Sequence, residues 1–100
     1  MEKCKNEWAR VVSKNLYQTA GINNAIVSDI QFAKTIMGCI SKYAKCDWGD
    51  TCSSDWKMND RAFYSGDDRI VAKYVTDKGN IFIITEWDRS ATTILFASEY

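Results

Sequence analysis

The chain has 100 residues, 46% of them hydrophobic, and carries 13 basic and 13 acidic side chains for a formal net charge of zero. This size and composition fit a single folded domain and exclude wholesale disorder. The apolar runs are far shorter than a membrane span and residues 1–4 begin no hydrophobic signal segment, so we expect a cytoplasmic protein.

The charge is unevenly distributed along the chain. Residues 1–46 hold seven basic and three acidic side chains, whereas residues 47–100 hold six basic and ten acidic ones. Most of the acidic groups lie in the segment 47–68, at Asp47, Asp50, Asp55, Asp60, Asp67 and Asp68. A locally acidic surface attracts basic partners and disfavours direct binding of nucleic acid.

The N-terminal third contains one strong helix signal. Residues 1–14 leave a helix, a flexible arm or an accessory arm open, residues 15–20 read as a weak strand, and residues 22–27 fit one helical turn. Ser28 as N-cap, with Gln31 three residues later, predicts a helix over 29–45. Its expected buried stripe is Ile30, Ala33, Ile36 or Met37, Ile40, and Tyr43 or Ala44.

The remaining elements are a second helix and three strands. Ser53 or Ser54 can cap a helix that runs to about Tyr64, and Gly66 is a natural stop. Runs of β-branched and aromatic residues over 69–76, 81–87 and 92–96 predict an antiparallel meander, with residues 77–80 as its first hairpin turn. The fold class is therefore α+β: one domain over residues 1–100, with a small antiparallel sheet, the N-terminal strand added, and two helices mainly on one face.

The chain has few of the residues that catalysis or metal binding needs. The chain has no histidine, and its four cysteines, Cys4, Cys39, Cys46 and Cys52, form no CxxC pair. A Cys-His or Ser-His pair is impossible, zinc is disfavoured, and reduced thiols are expected, with Cys39 as a small core hydrophobe. The glycines form no phosphate-binding loop. We therefore expect no cofactor, no metal and no enzymatic activity.

One carboxylate grouping keeps a metal-dependent nuclease open as a third reading. Glu86 and Asp88 share a side of the central strand, and Asp50 or Asp55 might approach them to hold Mg²⁺. We favour a structural interpretation, in which Asp88 and Arg89 form a hairpin turn and a salt bridge. Restriction-type nucleases place a lysine two residues after the acid, and no lysine follows Glu86 at that spacing.

The aromatic residues suggest a second kind of surface. Residues 81, 83, 85 and 87 face one side of the central strand, whereas Phe82, Ile84 and Glu86 face the other. If the helices cover one face only, the opposite face is open to a partner; alternatively the N-terminal arm covers it.

A longer string of residues carries a resemblance. Trp48-Gly49-Asp50, Asn59-Asp60, Arg69-Ile70 and the run IFIITEWDRSATTILF over 81–96 resemble a family of proteins of about this length carried by bacterial plasmids, conjugative elements and phages. The similarity covers residues 20–100. Family members are often labelled as restriction-system subunits.

The resemblance implies an inhibitor of host defence, most specifically an anti-CRISPR protein that binds a CRISPR or restriction effector complex stoichiometrically and blocks its nucleic-acid or nuclease site. An accessory module of the mobile element, dimerising through its sheet face, is the alternative. We expect a monomer or weak homodimer. The residues expected to contact the partner are Asp47, Trp48, Asp50, Asp55, Trp56, Asp60, Glu86, Asp88 and Arg89.

Overall fold

A four-stranded mixed sheet and four helices make up the fold, described here from a computed structural model for residues 2–100, with side chains from Glu7 onward. In chain order the elements are α1 (Glu2–Lys14), β1 (Leu16–Gln18), α2 (Ala20–Ser28), α3 (Ile30–Ala44), α4 (Ser53–Ser65), β2 (Ile70–Thr76), β3 (Gly79–Thr85), β4 (Thr92–Phe96) and a 3₁₀ turn (Ala97–Glu99). The α+β class predicted from the sequence is confirmed.

The sheet has the strand order β1-β4-β3-β2. The predicted antiparallel meander of β2, β3 and β4 is confirmed, and its first hairpin is tighter than expected, because Thr76 pairs with Gly79 across a two-residue turn. The N-terminal strand joins β4 in parallel rather than antiparallel. Two backbone hydrogen bonds fix this direction: the Thr92 N–H donates to the Asn15 carbonyl oxygen at 2.9 Å, and the Thr19 N–H donates to the Ile94 carbonyl oxygen at 3.1 Å. A strand of three residues is too short for its sequence pattern to reveal the direction of pairing.

Residues 2–14 form a helix, which is one of the alternatives that the sequence leaves open. Trp8 and Val12 are 4% and 1% exposed and belong to the core on the inner face of the sheet. The indole N–H of Trp8 donates to the carbonyl oxygen of Tyr43 at 2.9 Å. The centroid of the Trp8 ring lies 5.7 Å from that of Phe63 and 6.3 Å from that of Trp48. Aromatic packing therefore holds α1 against the rest of the domain.

The strongest predicted helix begins one residue later, and of its predicted stripe Ile36 and Tyr43 are buried while Ala33 and Ile40 are partly buried. Asp29, not Ser28, caps α3, because its carboxylate accepts the N–H groups of Gln31 and Phe32; Ser28 instead ends α2. The side chains buried by α3 are Phe32, Ile36, Cys39 and Tyr43, while Ile30 and Met37 are 71% and 70% exposed. Cys39 lies in the core as predicted, and Gly38 faces open space rather than the sheet.

A row of buried hydroxyl groups joins α3 to the sheet. The Tyr43 hydroxyl lies 2.7 Å from Oγ1 of Thr85, which lies 2.8 Å from Oγ1 of Thr92. Burial raises the pKa of Tyr43, so the phenol stays neutral and serves as a hydrogen-bonding group. Within residues 2–100, no helix is long and apolar enough to cross a membrane.

Candidate binding surfaces

The outer edge of β2 is occupied by side chains from the loop before α4 and from α4 itself. The Asn59 amide donates to the carbonyl oxygen of Val71 at 2.8 Å and accepts its N–H at 3.2 Å. The Lys73 N–H donates to Thr51 Oγ1 at 2.9 Å, and the Asp50 N–H donates to the Lys73 carbonyl oxygen at 2.8 Å. These bonds replace the missing neighbour strand, so Asp50 and Asn59 hold the fold together.

Trp48 and Asp60 form one hydrogen-bonded pair beside this edge. Trp48 is 0% exposed, and its indole N–H donates to the Asp60 carboxylate at 2.9 Å. Gly49 adopts a left-handed conformation (φ +65°) in which an added Cβ would overlap the Tyr74 ring. The prediction that Trp48 contacts a partner is therefore wrong, because the indole is needed to fill the core beneath its own loop.

The remaining members of the predicted acidic surface are spread out. Asp47 is exposed and accepts the Gly49 N–H at 3.0 Å, and a second carboxylate, Asp50, accepts the Val75 N–H at 2.8 Å. Asp55 is exposed in the first turn of α4, whereas Trp56 packs partly buried against the core. Within residues 7–100, no three carboxylate or thiolate groups come together in a way that could hold a metal ion.

Arg89 organises the turn between β3 and β4. Its guanidinium donates to the carbonyl oxygens of Asp68 at 2.5 Å and Ala62 at 2.8 Å, and to those of Glu86 and Trp87 at 3.2 Å. These contacts draw the end of α4, the 67–69 segment and the turn against one another. Arg89 is thus a structural residue whose partners are backbone carbonyl oxygens, in place of the salt bridge expected from the sequence.

This arrangement presents an exposed tryptophan beside carboxylates. Trp87 is 63% exposed, its neighbour Asp88 is exposed, and Arg89 joins the backbone of Trp87 to that of Asp68, which is exposed together with Asp67. The Asp88 carboxylate accepts the Ser90 N–H at 3.0 Å, and hydrogen bonds to Ser90 lower the pKa of Asp88. We call Asp67, Asp68, Trp87 and Asp88 the Trp87 surface. The sequence predicts a strand over 81–87 with Trp87 on one of its sides, but β3 ends at Thr85, so Trp87 lies in the turn beyond the strand and is exposed.

The outer face of the sheet is only partly covered. α1 packs on the inner face, so of the two alternatives, an open outer face and one covered by the N-terminal segment, the second is wrong. Instead the Tyr100 ring lies 5.5 Å from that of Phe82, and its hydroxyl accepts from Arg69 at 3.1 Å. Between α4 and this face lies a groove of about 510 Å³, which no sequence pattern predicts.

Comparison of the chain with family models, with curated proteins and with solved structures yields no match. Function must therefore be argued from the surfaces themselves and from the resemblance described above.

Proposed function

We propose that this protein is a non-enzymatic inhibitor of bacterial host defence, acting in the host cytoplasm as an anti-CRISPR protein. It would bind a protein component of an effector complex and block its nucleic-acid or nuclease site. The resemblance of residues 20–100 to proteins of mobile elements motivates the class of function. The Trp87 surface is the observation that supports binding to a protein partner.

A tryptophan is well suited to anchor such a complex. Trp87 is 63% exposed in the free protein, so its indole has a large apolar area to bury against a partner. Tryptophans are enriched among the residues that dominate binding energy. The Arg89 hydrogen bonds fix the backbone of the turn beforehand, which lowers the ordering cost of association.

The neighbouring carboxylates specify the kind of partner. Asp88 follows Trp87 in the turn, and Arg89 holds the exposed segment of Asp67 and Asp68 against that turn. These three negative charges complement a basic protein surface and repel a phosphate backbone. The nucleic-acid groove of an effector complex is basic because it must neutralise phosphates. Occupying it would exclude the guide or target strand.

The first experiment is phage plaquing in hosts armed separately with CRISPR or restriction systems, with a defence-deleted host as control. Expression of the protein should rescue phage in one armed host and change nothing in the control. Absence of rescue across a broad panel contradicts the proposal and favours an accessory module of the mobile element.

Two variants then test the surface. Trp87→Ser removes the anchor, and Asp67→Asn with Asp68→Asn removes charge while keeping an oxygen that accepts the Arg69 N–H, now 2.8 Å from Asp68 Oδ1. Each should reduce rescue at least tenfold, as loss of a hot-spot contact does. The matched control is Tyr17→Ser, which removes an aromatic that is 57% exposed on β1. Full rescue by Trp87→Ser would show that the Trp87 surface does not bind the partner. Asp50 and Asp60 are poor test positions because they also hold the fold.

A further inference from the structure

The groove between α4 and the outer face of the sheet, here called the α4 groove, is large enough for a small ligand. Its volume of about 510 Å³ lies within the range of small-molecule sites, roughly 300–1,000 Å³. One wall is the first half of α4, including Asp55 and Met58, and the floor is the outer face of β2 and β3. The groove shares one residue, Asp68, with the Trp87 surface, and the inference drawn from it does not depend on the proposed function.

The floor of the α4 groove is apolar. Val71 and Phe82 lie on the outer faces of neighbouring strands, and both are partly exposed. Met58 contributes a flexible apolar side chain that is 59% exposed from the opposite wall. A flat apolar body fits this composition, because an aromatic ring floor and a methionine favour contact with planar groups.

Two cations border this apolar floor without an acidic partner. Lys73 is half-buried and pairs with Phe82 across the two strands. Its ammonium group makes no hydrogen bond or ion pair with any group of residues 7–100. The ion pair found among these residues joins Lys78 to Asp29, outside the groove. Arg69 donates to the Tyr100 hydroxyl, a neutral group, at 3.1 Å.

The carboxylates that line the same groove are already stabilised by the protein. Asp55 lies in the first turn of α4, where the helix dipole favours negative charge. Asp68 accepts the Arg69 N–H at 2.8 Å. Both are exposed, whereas Lys73 is half-buried and its charge is less screened by water. The uncompensated charge at the floor is therefore positive.

We propose that the α4 groove binds a small organic anion, with a flat apolar body on Val71 and Phe82 and its anionic group against Lys73. Carboxylate and phosphate groups share this chemistry. Arg69 supplies a second positive charge to the same groove.

Four naphthalene probes of nearly equal shape separate the contributions: 2-naphthoate and 2-naphthyl phosphate are anions, 2-naphthylmethanol is neutral, and 2-naphthylmethylamine is a cation. Each is titrated into the full ¹⁵N-labelled chain while amide chemical shifts are followed. We expect saturable shifts at residues 52–59 and 69–73 and at Phe82, with at least one anion binding about fivefold more tightly than the alcohol. The tighter of the two anions identifies the ligand class.

Lys73→Met tests the charge directly. The backbone of Lys73, not its side chain, holds the neighbouring loop, so the variant should fold and retain a dispersed amide spectrum. It should bind the preferred anion about fivefold more weakly and the alcohol as before. The matched control is Lys34→Met, which removes an exposed cation on α3 and should change neither affinity. Lys73→Gln serves as a second charge-removing variant.

Three outcomes overturn the proposal. Anion binding by folded Lys73→Met or Lys73→Gln as tight as in the wild type removes the role of the ammonium. Preference for the amine over both anions shows that Asp55 and Asp68 govern the groove. Shifts that fail to saturate or that fall outside the groove show that it is not a binding site.

Discussion

Two short segments of this chain look alike in sequence and serve opposite purposes. Trp48-Gly49-Asp50 and Trp87-Asp88-Arg89 each place a tryptophan beside charged and turn-forming residues. The first tryptophan is 0% exposed and the second is 63% exposed. The difference arises from what each segment has to satisfy: the first covers the open edge of β2, whereas the second closes a hairpin whose edges are already paired.

A tryptophan beside charged and turn-forming residues is therefore not by itself a binding site. In the first segment, the indole, the glycine and the carboxylate all serve internal contacts to Asp60, Tyr74 and β2. In the second, Arg89 takes over the internal contacts and leaves the indole exposed. Mutations that affect stability should therefore concentrate in the first segment, and those that affect binding alone should concentrate in the second.

The largest expected effect is at Trp48. Trp48→Ala should lower the free energy of unfolding by about 3–5 kcal/mol, because it leaves a large cavity and removes the donor to Asp60. Urea denaturation followed by circular dichroism measures this loss. A loss below about 1 kcal/mol would contradict the structural role of the first segment.

A smaller loss is expected at Asn59. Asn59→Ala removes both side-chain hydrogen bonds to Val71 and should cost about 1–3 kcal/mol, since two backbone groups at the strand edge lose their partners. Asn24→Ala, at an exposed position on α2, is the matched control and should change stability by no more than about 0.5 kcal/mol. Equal losses in the two variants would show that the β2 edge needs no such cover.

Trp87→Ser should leave stability within about 0.5 kcal/mol of the wild type, because the indole is largely exposed and the turn is held by backbone contacts. The same denaturation experiment gives the result. A loss comparable to that of Trp48→Ala would erase the contrast between the two segments.

The smallest effect is a pH dependence of the second segment. The pKa of Asp88 is lowered from its ordinary value of 3.8 by hydrogen bonds to Ser90. A lowered folded-state pKa means that the stabilisation is fully present above the unfolded value and disappears as the pH falls through the folded value. The stability difference between wild type and Asp88→Ala should therefore be constant near neutral pH and shrink below about pH 4. A difference that persists unchanged at low pH would assign the effect of Asp88 to something other than its charge.

Strands and helix stops were predictable because their signals are local. The β4 boundaries, the meander and the Gly66 stop follow from residue composition over a few positions. The orientation of α3 was largely predictable from apolar spacing, since Ile36, Cys39 and Tyr43 were expected in the core. The burial of Phe32 in place of Ile30 was not, because it depends on how the first turn of α3 packs against the rest of the core.

The surfaces were less accessible to sequence reasoning than the fold. Clustering of acidic residues along the chain suggested one acidic surface, yet Asp50 and Asp60 have internal partners and Asp55 lies in the α4 groove. Trp48 is buried and Trp87 is exposed. This difference follows from the strand order, which the sequence does not show. The pairing of Lys73 with Phe82 likewise appears only once the register is known.

The cover over β2 also bears on how the protein behaves at high concentration. An uncovered strand edge offers its N–H and C=O groups to any other chain and is a common starting point for fibrils. Here the seven-residue strand at one margin of the sheet has its groups taken by Asp50, Thr51 and Asn59, and the strand at the other margin is three residues long. The internal contacts of the Trp48-Gly49-Asp50 segment thereby leave few free groups at the β2 edge for another chain to pair with.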